Sequence, residues 1–284
     1  MRTFCARAAG VVLIVMAAAA CGTISRAPNA QMIGGDGAVV DPVRGTVRLP
    51  LDAYLPSRAE RGVFAYAVDI AAARCARAKG VEVRPLKRSS SEVAEGFGVW
   101  RLADARSFGY GSPPADASMR AFDARFAGMS DVDRNAVRDC ELRPETAELK
   151  YPIRRMGTML PFLRELSRVR SIDTRQGHKV LDDWRRCLEE ADITPPENPK
   201  ILMEYDWRPP EVPSMSPRSR LRTAVADVEC KEETRLVQRL SDIEAGRQRM
   251  VMAGHESQLV AYRELWHEHL AVAQKVVADH RQDG

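Results

Sequence analysis

The chain has 284 residues, of which 29% are charged, and 43 Lys and Arg against 39 Asp and Glu leave a net charge of +4. So small a basic excess gives no footing for a nucleic-acid partner. About 240 residues follow the N-terminal segments read below, enough for one large domain or two small ones with a real core.

In chain order, Arg2 and Arg7 precede an apolar run from Ala8 to Ala20 that holds no acidic residue. That is the charged start, short apolar middle and small-residue end of an export signal, predicted over residues 1–20. Thirteen residues at ~1.5 Å each reach roughly 20 Å, short of a hydrocarbon core of ~30 Å. Ala18-Ala19-Ala20-Cys21-Gly22 resembles the lipobox of bacterial lipoproteins, with Ala18 where that family usually has Leu. The resemblance implies a diacylglyceryl group on Cys21, which becomes the N-terminus and ties the protein to the outer face of the cell membrane. Ordinary cleavage after A-x-A, giving a freely secreted protein, is the competing expectation. Residues 21–45 read as a tether, because Gly22, Pro28, Gly34, Gly35, Gly37 and Pro42 break any period.

Six cysteines occur; Cys5 leaves with the signal and Cys21 is the acylated one. Cys75, Cys140, Cys187 and Cys230 remain, an even number, and their wide spacing is unlike a zinc knuckle. Two disulfides are expected.

The body is expected over residues 46–280, with subregions 46–150 and 151–280. Ser57-Arg-Ala-Glu60 fits a capping box, and Val63, Phe64, Ala67, Val68, Ala71 and Cys75 follow at helical spacing to a stop at Gly80. Residues 81–130 read as irregular, with Phe108-Gly-Tyr-Gly111 a turn; it lacks the lysine and flanking elements of a phosphate loop. Ser130 caps a helix carrying Val137 and Cys140, Pro161 opens another near residues 161–169, and Thr174 caps a third carrying Trp184, Cys187 and Leu188. Seven prolines make Thr194–Pro217 a stiff crossover, in which Tyr205-Asp-Trp207 is the one aromatic cluster. From Pro217 to Asp279 apolar residues recur every three or four positions, broken at Gly254, which predicts a long C-terminal helical hairpin. The fold class expected is all-α, an irregular helical domain.

Chemistry-bearing patterns are sparse. His267 and His269 lie on opposite sides of a helix and cannot share an ion, and no Gly-x-Ser-x-Gly elbow occurs. No catalytic, metal or cofactor-binding residue is assigned. Sequential neighbours usually pack together, so Cys75 is expected to bond Cys140, and Cys187 to bond Cys230.

Leu49-Pro-Leu-Asp-Ala-Tyr-Leu-Pro56, the Cys75 helix, Trp184-Arg-Arg-Cys187 and Ala226-Asp-Val-Glu-Cys-Lys231 resemble segments of uncharacterised exported lipoproteins of actinobacteria. There they recur as P-L-D-x-Y, W-x-x-C and A-D-x-x-C-K, and the likeness runs from residue 47 to about 255. The family's function is unassigned, and the stretch between Gly111 and Tyr151 is shorter here. The functional expectation is a non-catalytic interaction module of the envelope, with the membrane and an envelope or cell-wall component as partners. An envelope hydrolase, or an adaptor docking a transporter or wall component through an exposed stripe on residues 217–277, are the alternatives.

Overall fold

Local chemistry at helix starts sets most of the architecture. In a computed structural model describing residues 37–87, 96–111, 113–150, 152, 159–198 and 208–282, ten helices and one two-stranded hairpin are present. The protein is all-α. The signal and Cys21 expectations lie outside the described residues, as does Tyr205-Asp-Trp207.

β1 (Val39–Asp41) and β2 (Thr46–Arg48) pair antiparallel, Val40 opposite Val47. The tether expected over 21–45 therefore gives way to structure by Gly37, because Val39-Val40 and Thr46-Val47 flank a tight turn closed at Gly45. A 3-10 turn at Pro50–Tyr54 leads to α1 (Arg58–Ala78), which starts on the expected capping box. Glu60 N donates to Ser57 Oγ, and Ser57 N to Glu60 Oε2.

Two helices occupy the stretch read as irregular, α2 (Leu102–Phe108) and α3 (Ala117–Ala127), the latter capped by Asp116 and without a buried residue. α4 (Asp131–Glu141) starts on Ser130 as expected, followed by the single turn α5 (Pro144–Ala147). α6 spans Met159–Ile172, longer than expected at both ends, and α7 (Arg175–Glu190) starts on Thr174. The C-terminal run contains α8 (Pro217–Glu233), α9 (Leu236–Met252) and α10 (Glu256–Gln282). The break near Gly254 is present, and a second falls at Thr234-Arg235, where Arg235 adopts a left-handed φ of 52°.

The apolar faces then choose partners. α10 places Leu259, Tyr262, Trp266 and Leu270 against Phe64, Ala67 and Ile70 of α1, so its stripe is internal. α9 packs on α6 and α7, and α2 on α8. Contacts between the first and last helices interleave the two expected subregions into one unit. Among the described residues no helix is long and apolar enough to cross a membrane.

Both expected disulfides are present. Cys75–Cys140 joins α1 to α4 with 5.8 Å between Cα atoms, and Cys187–Cys230 joins α7 to α8 with 5.6 Å.

Candidate functional site

The densest polar cluster sits on α7 and α8, where the W-x-x-C and D-x-x-C-K segments meet. The same three-residue spacing on both helices produces two rungs about one turn apart. One rung is the Cys187–Cys230 bond. The other is Trp184 Nε1 donating to Asp227 Oδ1 at 3.1 Å.

Lys231, one turn beyond Asp227, donates to Asp227 Oδ2 at 2.8 Å and to the Val99 carbonyl at 2.7 Å. Its ammonium lies 5.6 Å from the Trp184 ring centroid. The Tyr110 hydroxyl donates to the Thr223 carbonyl at 3.5 Å and lies beside Asp227, which ties in the segment after α2. Trp184, Asp227 and Lys231 are all essentially inaccessible to solvent.

Burial raises the Asp227 pKa and lowers that of Lys231, and each partner's charge opposes the shift in the other. Burial, then the charge of Asp227, raises the Tyr110 hydroxyl above its usual range. The donors and acceptors satisfy one another, and the cluster is closed. Its chemistry is that of a fastener holding α7, α8 and residues 99–110 together.

The P-L-D-x-Y segment has the same character. Leu51 is buried and its N–H donates to Gln248 Oε1 at 2.9 Å. Asp52 accepts from Leu49 N at 2.8 Å and faces Arg164 at 3.5 Å, while the Tyr54 carbonyl accepts from Trp266 Nε1 at 2.9 Å. Beneath it Gln248 Nε2 donates to Glu244 Oε1 at 3.2 Å. Burial holds the Glu244 carboxyl above its usual range, against the pull of Arg168 and Arg164.

A third cluster anchors α3. Arg125 makes a two-pronged bridge to Asp69 of α1, both bonds 2.9 Å, and donates to the Arg84 carbonyl at 3.0 Å. Its guanidinium lies 5.0 Å from the Phe122 ring and 4.6 Å from that of Phe126. A shallow depression of about 380 Å³ beside it is lined by Phe126, Arg134, Asn135, Arg138 and Glu141. Arg134 is already engaged with Asp131 and with the Phe126 carbonyl.

The histidines are dispersed: His267 stacks on Trp266 at 3.9 Å, and His269 Nδ1 meets the Glu148 carbonyl at 2.8 Å. Among the described residues no group of three or more His, Cys, Asp or Glu is placed to hold a metal. Phe108-Gly-Tyr-Gly111 is a turn, with Gly111 N donating to Phe108 O at 2.9 Å and Gly109 at φ +62°.

Sequence reasoning missed the roles of Asp227, Lys231, Asp69 and Arg125. One signal was present: Ala224, Asp227, Val228 and Lys231 follow the i, i+3, i+4, i+7 spacing of a buried stripe. No family model, curated protein or solved structure matches this chain.

Proposed function

We propose that this is a lipid-anchored envelope protein, tied to the outer face of the cell membrane through Cys21, whose folded body is a non-catalytic interaction module. The observation that carries this reading is the cysteine arrangement. The four cysteines beyond Cys21 are used up in two bridges, one in the α1–α4 core and one between α7 and α8. Such pairing belongs to an oxidising compartment, as an export signal ending in Ala-Ala-Ala-Cys-Gly requires. The segments that resemble those of exported lipoproteins supply internal fasteners here, which favours a body built to present a surface. In cell fractionation, wild type is expected in the membrane pellet, and Cys21→Ser in the supernatant or as uncleaved precursor. Equal partition of the two, with Cys21→Ser cleaved to the same size as wild type, would refute the anchor.

A further inference from the structure

The hairpin that opens the folded body carries an unusual tip. Val43 is 81% exposed, the highest value among the exposed large hydrophobic residues described. Isolated exposed apolar side chains are ordinary and need no partner. Rigidity, charge and position together set this one apart.

The tip is rigidly formed. Val43 N and Arg44 N both donate to Asp41 Oδ1 at 3.0 Å, and Gly45 N donates to the Asp41 carbonyl at 2.8 Å. Gly45 takes φ +69°, a conformation open to glycine. Three bonds to one residue therefore hold Pro42-Val43-Arg44 outward.

The hairpin also carries two exposed cations, one at the tip and one at its base. The Arg44 side chain is 71% exposed and 3.8 Å from Asp41, so most of its guanidinium faces water. Arg48, opposite Val39 at the base of the hairpin, is exposed as well.

Position supplies the third point. Ala38 N donates to Asp242 Oδ1 at 2.8 Å, and Gln238 Nε2 donates to the Ala38 carbonyl at 3.0 Å, which fixes the start of β1 on α9. Fifteen residues, Gly22 to Asp36, separate Cys21 from Gly37. At full extension they span at most about 55 Å. A lipid on Cys21 keeps this edge of the body within that distance of the bilayer.

We propose that Val43, Arg44 and Arg48 form the surface through which the body rests on anionic phospholipid headgroups, with Val43 entering the interface. The proposal rests on the lipid-anchor reading above. Each arginine near an anionic surface contributes up to about fivefold to association, and Asp41 beside Arg44 offsets part of that, so the pair contributes at most about thirtyfold. Tethering makes that weak contact effective, because the lipid surface is then at millimolar effective concentration.

The test uses the mature chain from residue 21 with an N-terminal His tag in place of the acyl group. It is bound to phosphatidylcholine vesicles containing nickel-chelating lipid, with or without phosphatidylglycerol. Hydroxyl-radical modification is read by mass spectrometry at Val43, with Val132, 77% exposed, as control. Phosphatidylglycerol is expected to lower modification of Val43 by about fivefold or more and leave Val132 unchanged. The double variant Arg44→Glu/Arg48→Glu, checked for native circular dichroism, is expected to abolish the protection. Equal modification of Val43 on both vesicles, or unchanged protection in the double variant, overturns the proposal. Because the tag replaces the acyl group, this outcome is independent of whether Cys21 is lipidated.

Discussion

Replacing Lys231 with Met is expected to be among the most damaging single changes to the fold. Lys231 and Asp227 are both inaccessible to solvent and 2.8 Å apart, so Lys231→Met leaves a carboxylate buried without its counter-ion. Removing one partner of such a pair costs about 3–5 kcal/mol. The Val99 carbonyl also loses its 2.7 Å donor, about 1 kcal/mol more, while the Met side chain recovers part of the packing of the lysine stem. The expected net loss is about 4 kcal/mol, a large share of the 5–15 kcal/mol typical of a folded protein. Adding Asp227→Asn removes the stranded charge while keeping an acceptor for Trp184 Nε1, so the double variant should lose only about 2 kcal/mol. Urea unfolding of the disulfide-intact protein, followed by far-ultraviolet circular dichroism, gives all three values. A loss below about 1 kcal/mol for Lys231→Met, or a double variant less stable than the single one, would refute the reasoning.

Glu244 gives a pH test. Its folded pKa is raised, so its stabilising contribution is complete below the unfolded value of about 4.3 and is lost as pH rises through the folded value. Glu244→Gln should therefore gain stability relative to wild type as pH rises above the unfolded value, as read from denaturant midpoints, and a gain confined to acid would contradict the assignment. Arg125→Met should free α3, which has no buried residue, so its amides should exchange with solvent before those of α1. Gly177→Ala would bring a Cβ within 2.3 Å of the Ser171 carbonyl, and a loss of about 2 kcal/mol or more in thermal or urea unfolding is expected.

What was legible in the sequence was short-range chemistry. Ser57, Ser130 and Thr174 announce their helices because a cap is a bond between residues three apart, and all three make that bond. The Cys187–Cys230 pairing was legible because α7 and α8, consecutive helices, pack together; Cys75–Cys140 forms as expected, although α2 and α3 lie between α1 and α4, so packing of sequential neighbours does not account for it. α3 was not legible, because the glycines and prolines before it make the stretch read as irregular and it buries no residue fully; its main anchor, the Arg125–Asp69 ion pair, joins positions 56 apart. The break at Arg235 was hidden because a left-handed arginine has no compositional signature. The hairpin strands, three residues each, are too short to show a period of two. Lys231 and Asp227 drew no assignment from the sequence, because an i, i+4 ion pair reads the same whether solvated or buried and only tertiary packing separates the two.

The lipid anchor is tested most directly by the mass of the N-terminal tryptic peptide from membrane-extracted protein. Cleavage after Arg26 gives a peptide expected to begin at Cys21 and to carry the added mass of a diacylglyceryl group, with labelled palmitate entering the same band. A peptide beginning at Cys21 with an unmodified thiol, or one that begins at Ala8 because residues 8–20 are still attached, would contradict it.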